Sequence, residues 1–435
     1  MSAPLFFSPE PGAAGPRRAL VLAGGGMRVA YQAGVLRAFA EEGLRFAHAD
    51  GASGGTINLA MLFSGLSPAE MCARWRTLDV KAFASLLPLR DYASFRPGAL
   101  GDADGLVEDV FPHLGIDVEV IRQAEGMAGT FNVCNFTRKT VEPIPHEALT
   151  LDLLVAAVSL PLFMPVVEHG GALYTDAVWI KDANCWEAVR RGAEEVWLVW
   201  CIGNTDAYAD GFFEQYVHTI EMSANGALFE EFDRIRALNE RIEAGDSPFG
   251  QRRPVRLHVV RPEHPLPLDP DFFFGRVTAA ELIAHGYADA RAYLRARTAD
   301  GLPFTPDATR MSTPGPGITF RETMSGPFAL GEADPEPGRR AGDADGHTLA
   351  LHATITIDDL DRFEADPAHT GTIHGEIDFT PFGTALPTEA GVFNLFAPAD
   401  EPGLKRMVYE VGFRHDGEDY YLAGHKDVRD DPGPD

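Results

Sequence analysis

The chain has 435 residues, 45% of them hydrophobic, which suffices for two ordinary globular cores and excludes a wholly disordered protein. Its 64 acidic side chains against 37 basic ones leave a formal net charge of -27, a field that repels phosphodiester backbones and anionic headgroups and so disfavours nucleic-acid binding. Thirty-two Arg against five Lys, with abundant Ala, Gly, Pro and Asp, reads as GC-rich coding bias rather than a binding adaptation.

The opening MSAPLFFSPEPGAAGPRR has no basic start leading into an apolar core, so it does not read as a secretory signal. Ala19 to Ala23 then predicts a strand buried on both faces, and Gly24-Gly25-Gly26-Met27-Arg28 leads from it into a helix from about Val29 to Glu42 that Gly43 ends. Consecutive glycines at such a turn can aim backbone N–H groups into one space at the positive end of a helix dipole, where phosphate or an oxyanion is held. A dinucleotide fingerprint fits poorly, because Val29 occupies its sixth position. A glycine turn without a ligand is the plainer alternative, as is a simple ion pair for Arg28.

Phe46 to Asp50 predicts a short strand and Thr56 to Leu62 a helix, with Gly51-Ala52-Ser53-Gly54-Gly55 between them. This is the spacing of a nucleophile elbow: the turn is so tight that side chains two residues before and after the serine would clash, and Gly51 and Gly55 satisfy that demand.

Downstream, Ser67 to Glu70 reads as a capping box, Thr130 to Phe136 as a strand, and Leu149 to Val167 as a buried helix followed by a turn. That last run is the longest apolar one. Asp152, Pro161 and Pro165 argue against a membrane span of about 20 residues. Val196 to Ile202 and Val255 to Val260 predict further strands. Phe212 to Ala244 predicts a helix with Leu228, Phe232, Ile235, Leu238 and Ile242 on one face, and Thr278 to Glu281 caps another. Cys72, Cys134, Cys185 and Cys201 lack metal or redox spacing and read as buried free thiols, which suits a reducing, cytoplasmic setting. No metal or other cofactor is implied.

Residues 301 to 317 are rich in Pro, Gly and Thr, and 331 to 346 read as a polar, mobile loop. Beyond them the period becomes two, and Met407 to Arg414 with Asp419 to His425 predict a hairpin around His415 to Glu418. The expected organisation is an α/β domain at 17–300, a linker at 301–315 and an antiparallel β module at 316–435.

The segments ALVLAGGGMRVAYQAGVLRAF, DGASGG, SLPLFMPVV and YTDAVWIKDAN together resemble the patatin-like phospholipases, over residues of about 17 to 300. That resemblance implies a three-layer α/β/α fold and hydrolysis of lipid acyl esters. It further implies Ser53 as nucleophile, Asp176 as its only catalytic partner, and an oxyanion hole of Gly24, Gly25, Gly26 and Arg28. The sequence departs from the family pattern at Val29, at Ala177 and Val178, and at Asp182. The β module, more loosely, resembles one that accompanies oxidoreductase domains of the GMC (glucose–methanol–choline) type or hydrolase domains in bacterial proteins. Such segments continue past Asp430-Asp431-Pro432-Gly433, implying a shortened form here.

An aspartate, with an ordinary pKa of ~3.9, can take the serine proton near neutral pH only if burial raises it, so the site should be enclosed. His48, His169 and His285 are candidate bases for a triad. The elbow follows the first strand by only about thirty residues, unlike the α/β-hydrolase order, and this favours the dyad. His169-Gly170-Gly171 follows the serine instead of preceding it and reads as a turn. A lipid or other acyl ester is the expected substrate, with peripheral contact to a lipid surface at most. The alternatives are an acyltransferase, or a binding protein of this fold that has lost catalysis.

Overall fold

The computed structural model describes residues 5–10, 12, 15–79, 103–208, 210–313, 315–332, 334–398 and 403–429. The chain divides into two compact units, Met1–Leu282 with Ala296–Ser312, and Ile283–Arg295 with Thr313–Asp435.

The first unit is built on one mixed sheet of β1 (Arg18–Leu22), β2 (His48–Gly51), β3 (Ala128–Asn135), β4 (Thr140–Pro145), β5 (Val167–His169), β6 (Ala172–Asp176), β7 (Glu195–Val199) and β8 (Arg256–Val260). Their order is β5-β6-β3-β2-β1-β7-β8, with β4 also paired to β3. From β3 to β8 the neighbours are parallel, while the β3-β4, β3-β6 and β5-β6 pairs are antiparallel.

Every residue of β1 after Arg18 is fully buried, so the sheet must be covered on both faces. On one face Ala19, Val21, Val196 and Leu198 join a core with Leu228, Phe232, Ile235 and Leu238, the stripe foreseen on the helix Phe212–Glu243. On the other, Phe39 of the helix Ala30–Glu41 meets the ring of Trp197 edge-on at 5.3 Å. These are the three layers of an α/β/α sandwich. The chain runs outward from β1 through β2 to β3, then returns to its other side at β7 and β8. β1 is therefore a topological switch point, and the loops at the carboxyl ends of β1 and β2 flank the crevice such a switch leaves. Among the described residues, no helix is long and apolar enough to cross a membrane.

Local signals hold where the chemistry is strict. Ser67 and Glu70 form the reciprocal capping box at Pro68–Thr77, and Thr278 and Glu281 exchange the same bonds before Ala279–Ala296. The segment expected as a linker is instead largely tied to the first unit: the amides of Leu302, Met311 and Ser312 donate to the carbonyls of Leu257, Asn204 and Glu263. Residues 283–295, expected in the first domain, group with the second, where Arg291 and Arg295 both bind Glu389.

The second unit is an antiparallel sheet of β9 (Ile318–Pro327), β10 (Thr348–Ile357), β11 (Thr370–Phe379), β12 (Gly383–Pro387), β13 (Gly391–Pro398), β14 (Leu404–His415) and β15 (Glu418–Arg429). The order is β15-β14-β13-β11-β10-β9, with β12 on β11. Alternate residues Leu349, Leu351, Ala353 and Ile355 enter a core with Ile373, Ile377, Phe379 and Phe393. Asp416 and Gly417, both at positive φ (48° and 86°), close the predicted hairpin.

The stretch read as a mobile loop is largely helical. Pro335–Asp345 starts on an Asp334 cap with Pro at its first position and stops at Gly346 in the left-handed region. Gly342 lies so close to Phe328 that an added Cβ would meet its backbone nitrogen at 2.3 Å. Contact here is through backbone, so no apolar periodicity announces the helix. In the β core, Phe379→Ala is expected to lower the stability of the second unit by about 3–5 kcal/mol. Chemical denaturation followed by far-UV circular dichroism measures it as the transition of the second unit, whose residues include no tryptophan while the first unit holds all five.

Candidate active site

A buried strand that must turn at once into a helix has little room for side chains. Gly25 and Gly26 make that turn after β1 at φ of 149° and 57°, a region open to glycine. Their amides donate to no described group, whereas the Gly24 amide donates to the Asp182 carbonyl at 3.1 Å. Of the three glycines expected to supply donors, Gly24 is therefore engaged elsewhere. Its requirement is steric, since an added Cβ would sit 2.1 Å from Asp182 Oδ1.

At the end of β2 the Ala52 amide donates to the Leu22 carbonyl, and Ser53 follows at φ 48°, left-handed for a residue with a side chain. An added Cβ would meet Leu59 Cβ at 3.1 Å from Gly51 and the Leu22 carbonyl at 2.3 Å from Gly55. From Gly54 it would meet the Gly26 carbonyl at 2.6 Å. The elbow and the glycine loop thus pack backbone to backbone.

Strand register carries Asp176 to the serine. Gly51 pairs with Phe131, and Val133, two residues further on, pairs with Asp176 at the end of β6. Two residues beyond Gly51 is Ser53. Ser53 and Asp176 therefore stand at one level of the sheet, two strand spacings or about 10 Å apart in backbone. The Asp176 amide donates to the Ser159 carbonyl at 3.1 Å, and its Oδ1 accepts the Val178 amide at 2.9 Å. Burial pushes this carboxyl up to about 7, against the opposing hydrogen bonds from the Val178 amide and the Ser53 hydroxyl.

Behind the elbow runs a buried polar ladder. Thr130 Oγ1 donates to Asp50 Oδ2 at 2.5 Å, and Asn132 Nδ2 donates to Asp50 Oδ1 at 2.7 Å. Asn184 Nδ2 in turn donates to Asn132 Oδ1 at 2.7 Å. His48 Nε2 lies 2.9 Å from Thr130 Oγ1, whose proton is committed to Asp50, so the imidazole must be the donor. Burial lowers His48 to about 3 and keeps it neutral.

Of the other two candidate histidines, His169 faces Asp152 at 3.4 Å, and His285 belongs to the second unit, where it stacks on His374. None of the three lines the cavity onto which Ser53 and Asp176 open.

That cavity measures about 620 Å³, within the range of small-molecule sites. Val158, Leu160, Phe163, Phe213, Ile220 and Phe273 give it an apolar wall. Arg28 is buried, and its Nε donates to the Gly25 carbonyl at 2.9 Å, which holds the glycine loop from inside. Val29 is likewise buried and packs toward Gly25 and Gly54, so the departure there is filled by contact.

Two carboxyls complete the loop's surroundings. Both side-chain oxygens of Asp182 are buried without a partner among the described residues, and burial and the Asp176 charge push its carboxyl well above the usual range, favouring the neutral acid. Asp269 Oδ1 accepts the Met27 amide at 2.9 Å, while its Oδ2 would lie 2.5 Å from a Cβ on Gly26. Sequence reasoning missed Asp269. The signal was an Asp-Pro-Asp start followed by Phe272-Phe273-Phe274, a helix start whose aromatic run has no amphipathic period.

A glycine-loop strand and a serine turn thus stand side by side on an α/β/α sandwich, with Asp176 and Ser53 lining one cavity. Residues 20–189 match the family model described as patatin-like phospholipase, a family of lipid acyl hydrolases. Among solved structures the chain is similar to VipD from Legionella pneumophila, at 11% identity over 65% of this chain and 67% of that one, with a TM-score of 0.33. No curated protein matches the sequence.

Proposed function

We propose that the first unit cleaves acyl esters of lipids through a serine acyl-enzyme, using Ser53 and Asp176 alone as the reacting pair. Ser53 Oγ attacks the ester carbonyl while its proton passes to Asp176. The carbonyl oxygen becomes an oxyanion facing the open amides of Gly25 and Gly26, at the start of the helix that follows. Asp176 returns the proton to the departing alkoxide, and water activated by the same carboxylate releases the fatty acid. The acyl chain lies along the apolar wall. Arg28 supports the loop through the Gly25 carbonyl, and Gly24 gives room to Asp182 instead of donating.

The observation that carries this reading is the strained Ser53 facing a buried carboxylate held near 7. A fluorophosphonate should form one adduct, on the peptide containing Ser53, and Ser53→Ala should abolish it in mass spectrometry. Wild-type protein that neither labels nor turns over any ester would overturn the proposal and favour the non-catalytic reading.

A further inference from the structure

Apolar side chains that could have turned inward stand in solvent around the mouth of this cavity. Phe163 and Phe273 line it while more than a third exposed, and Phe274, also at its wall, is 73% exposed. Beside Phe163, Leu162 is 61% exposed at φ 80°, a conformation that costs a leucine energy and keeps its side chain outward. The loop is held there by design of its neighbours: Tyr216 Oη donates to the Pro161 carbonyl at 3.2 Å, and the Phe163 and Tyr216 rings meet edge-on at 5.4 Å.

We propose that Leu162 and Phe274 form a lip that inserts into the surface of a zwitterionic phospholipid bilayer, letting an acyl chain pass from the bilayer into the cavity without crossing water. The inference rests on the acyl-hydrolase reading for its purpose and on the exposed rim for its geometry. Continuity of the rim with the apolar wall selects lipid over an aqueous partner. Charge selects the lipid: a chain of net charge -27 is repelled by an anionic leaflet, and Arg276, the cation over Phe274, is already paired with Asp271. Binding therefore comes from apolar insertion and is indifferent to salt.

The full chain carrying Ser53→Ala, which cannot consume its target, should co-sediment with phosphatidylcholine vesicles equally at about 0.05 and about 0.5 M salt. Leu162→Asp or Phe274→Asp added to it should lower the partition roughly ten-fold or more. Leu162→Asp in an otherwise wild-type chain should leave turnover of a dispersed short-chain ester unchanged, which also reports that it folds. Absence of vesicle binding, binding insensitive to both substitutions, or tighter binding to phosphatidylserine vesicles would each overturn the lip. Failure of Ser53 to label while the vesicles still bind would overturn the hydrolase reading and leave the lip standing.

Discussion

Asp176→Asn should cost ester turnover about 10³- to 10⁴-fold, because an amide keeps the shape of the carboxylate but cannot take the Ser53 proton. Ser53→Ala should cost as much, and the double variant no more than either, since the two residues act as one unit. A double variant much worse than both singles would show that each had been working independently. The wild-type enzyme should also lose kcat/KM as pH falls below about 7, where burial has placed the Asp176 carboxyl and its ionised form disappears. An acid limb near the ordinary carboxylate value of ~3.9 would remove Asp176 as the base.

The same shift has an opposite effect on folding. Between the unfolded value of 3.8 and about 7 the native state holds a proton that the unfolded chain has released, so this carboxyl's contribution is fully present below that window and lost as pH rises through it. At pH of about 8, Asp176→Asn should therefore be more stable than wild type by denaturant midpoint while being nearly inactive.

Gly54→Ala should be the second most damaging change to catalysis. Its methyl would lie 2.6 Å from the Gly26 carbonyl and 2.9 Å from Val29, so the glycine loop must move away from the serine. Overpacking of this kind costs about 1–3 kcal/mol of stability, but a displaced amide donor costs about 10²- to 10³-fold in kcat. Steady-state kinetics should show kcat falling with KM little changed. Gly43→Ala, at positive φ but with open space around it, is the control: strained, slightly less stable and fully active.

What the sequence discloses depends on how local the physics is. The tight turn at Ser53 was legible because an elbow imposes its small neighbours within five residues, and the buried face of Leu228 to Leu238 because a helix face repeats every three or four. Asp269 was not, since its bond to the Met27 amide joins positions 242 residues apart and no local pattern encodes that. Gly24 looked like a third donor for a related reason: which amides stay open is decided by Asp182, far along the chain. The helix Pro335–Asp345 escaped because it docks through Gly342 rather than through large apolar residues.

The ladder of Thr130, Asp50, Asn132 and Asn184 links side chains from strand to strand alongside the backbone bonds, joining β2, β3 and the residue that caps the helix Cys185–Arg190. Its bonds hold only in one register of β2 against β3. A strand could slide by two residues and keep its apolar face inward, but that slide would leave buried polar atoms facing nothing, so the alignment that sets Ser53 opposite Asp176 is fixed from beneath. The apolar wall of the cavity hangs on other elements, among them the helices Phe212–Glu243 and Asp269–Phe273. On the proposed mechanism, the cavity wall can accordingly be reshaped at Phe213 or Phe273 while the spacing of Ser53 and Asp176 stays as it is.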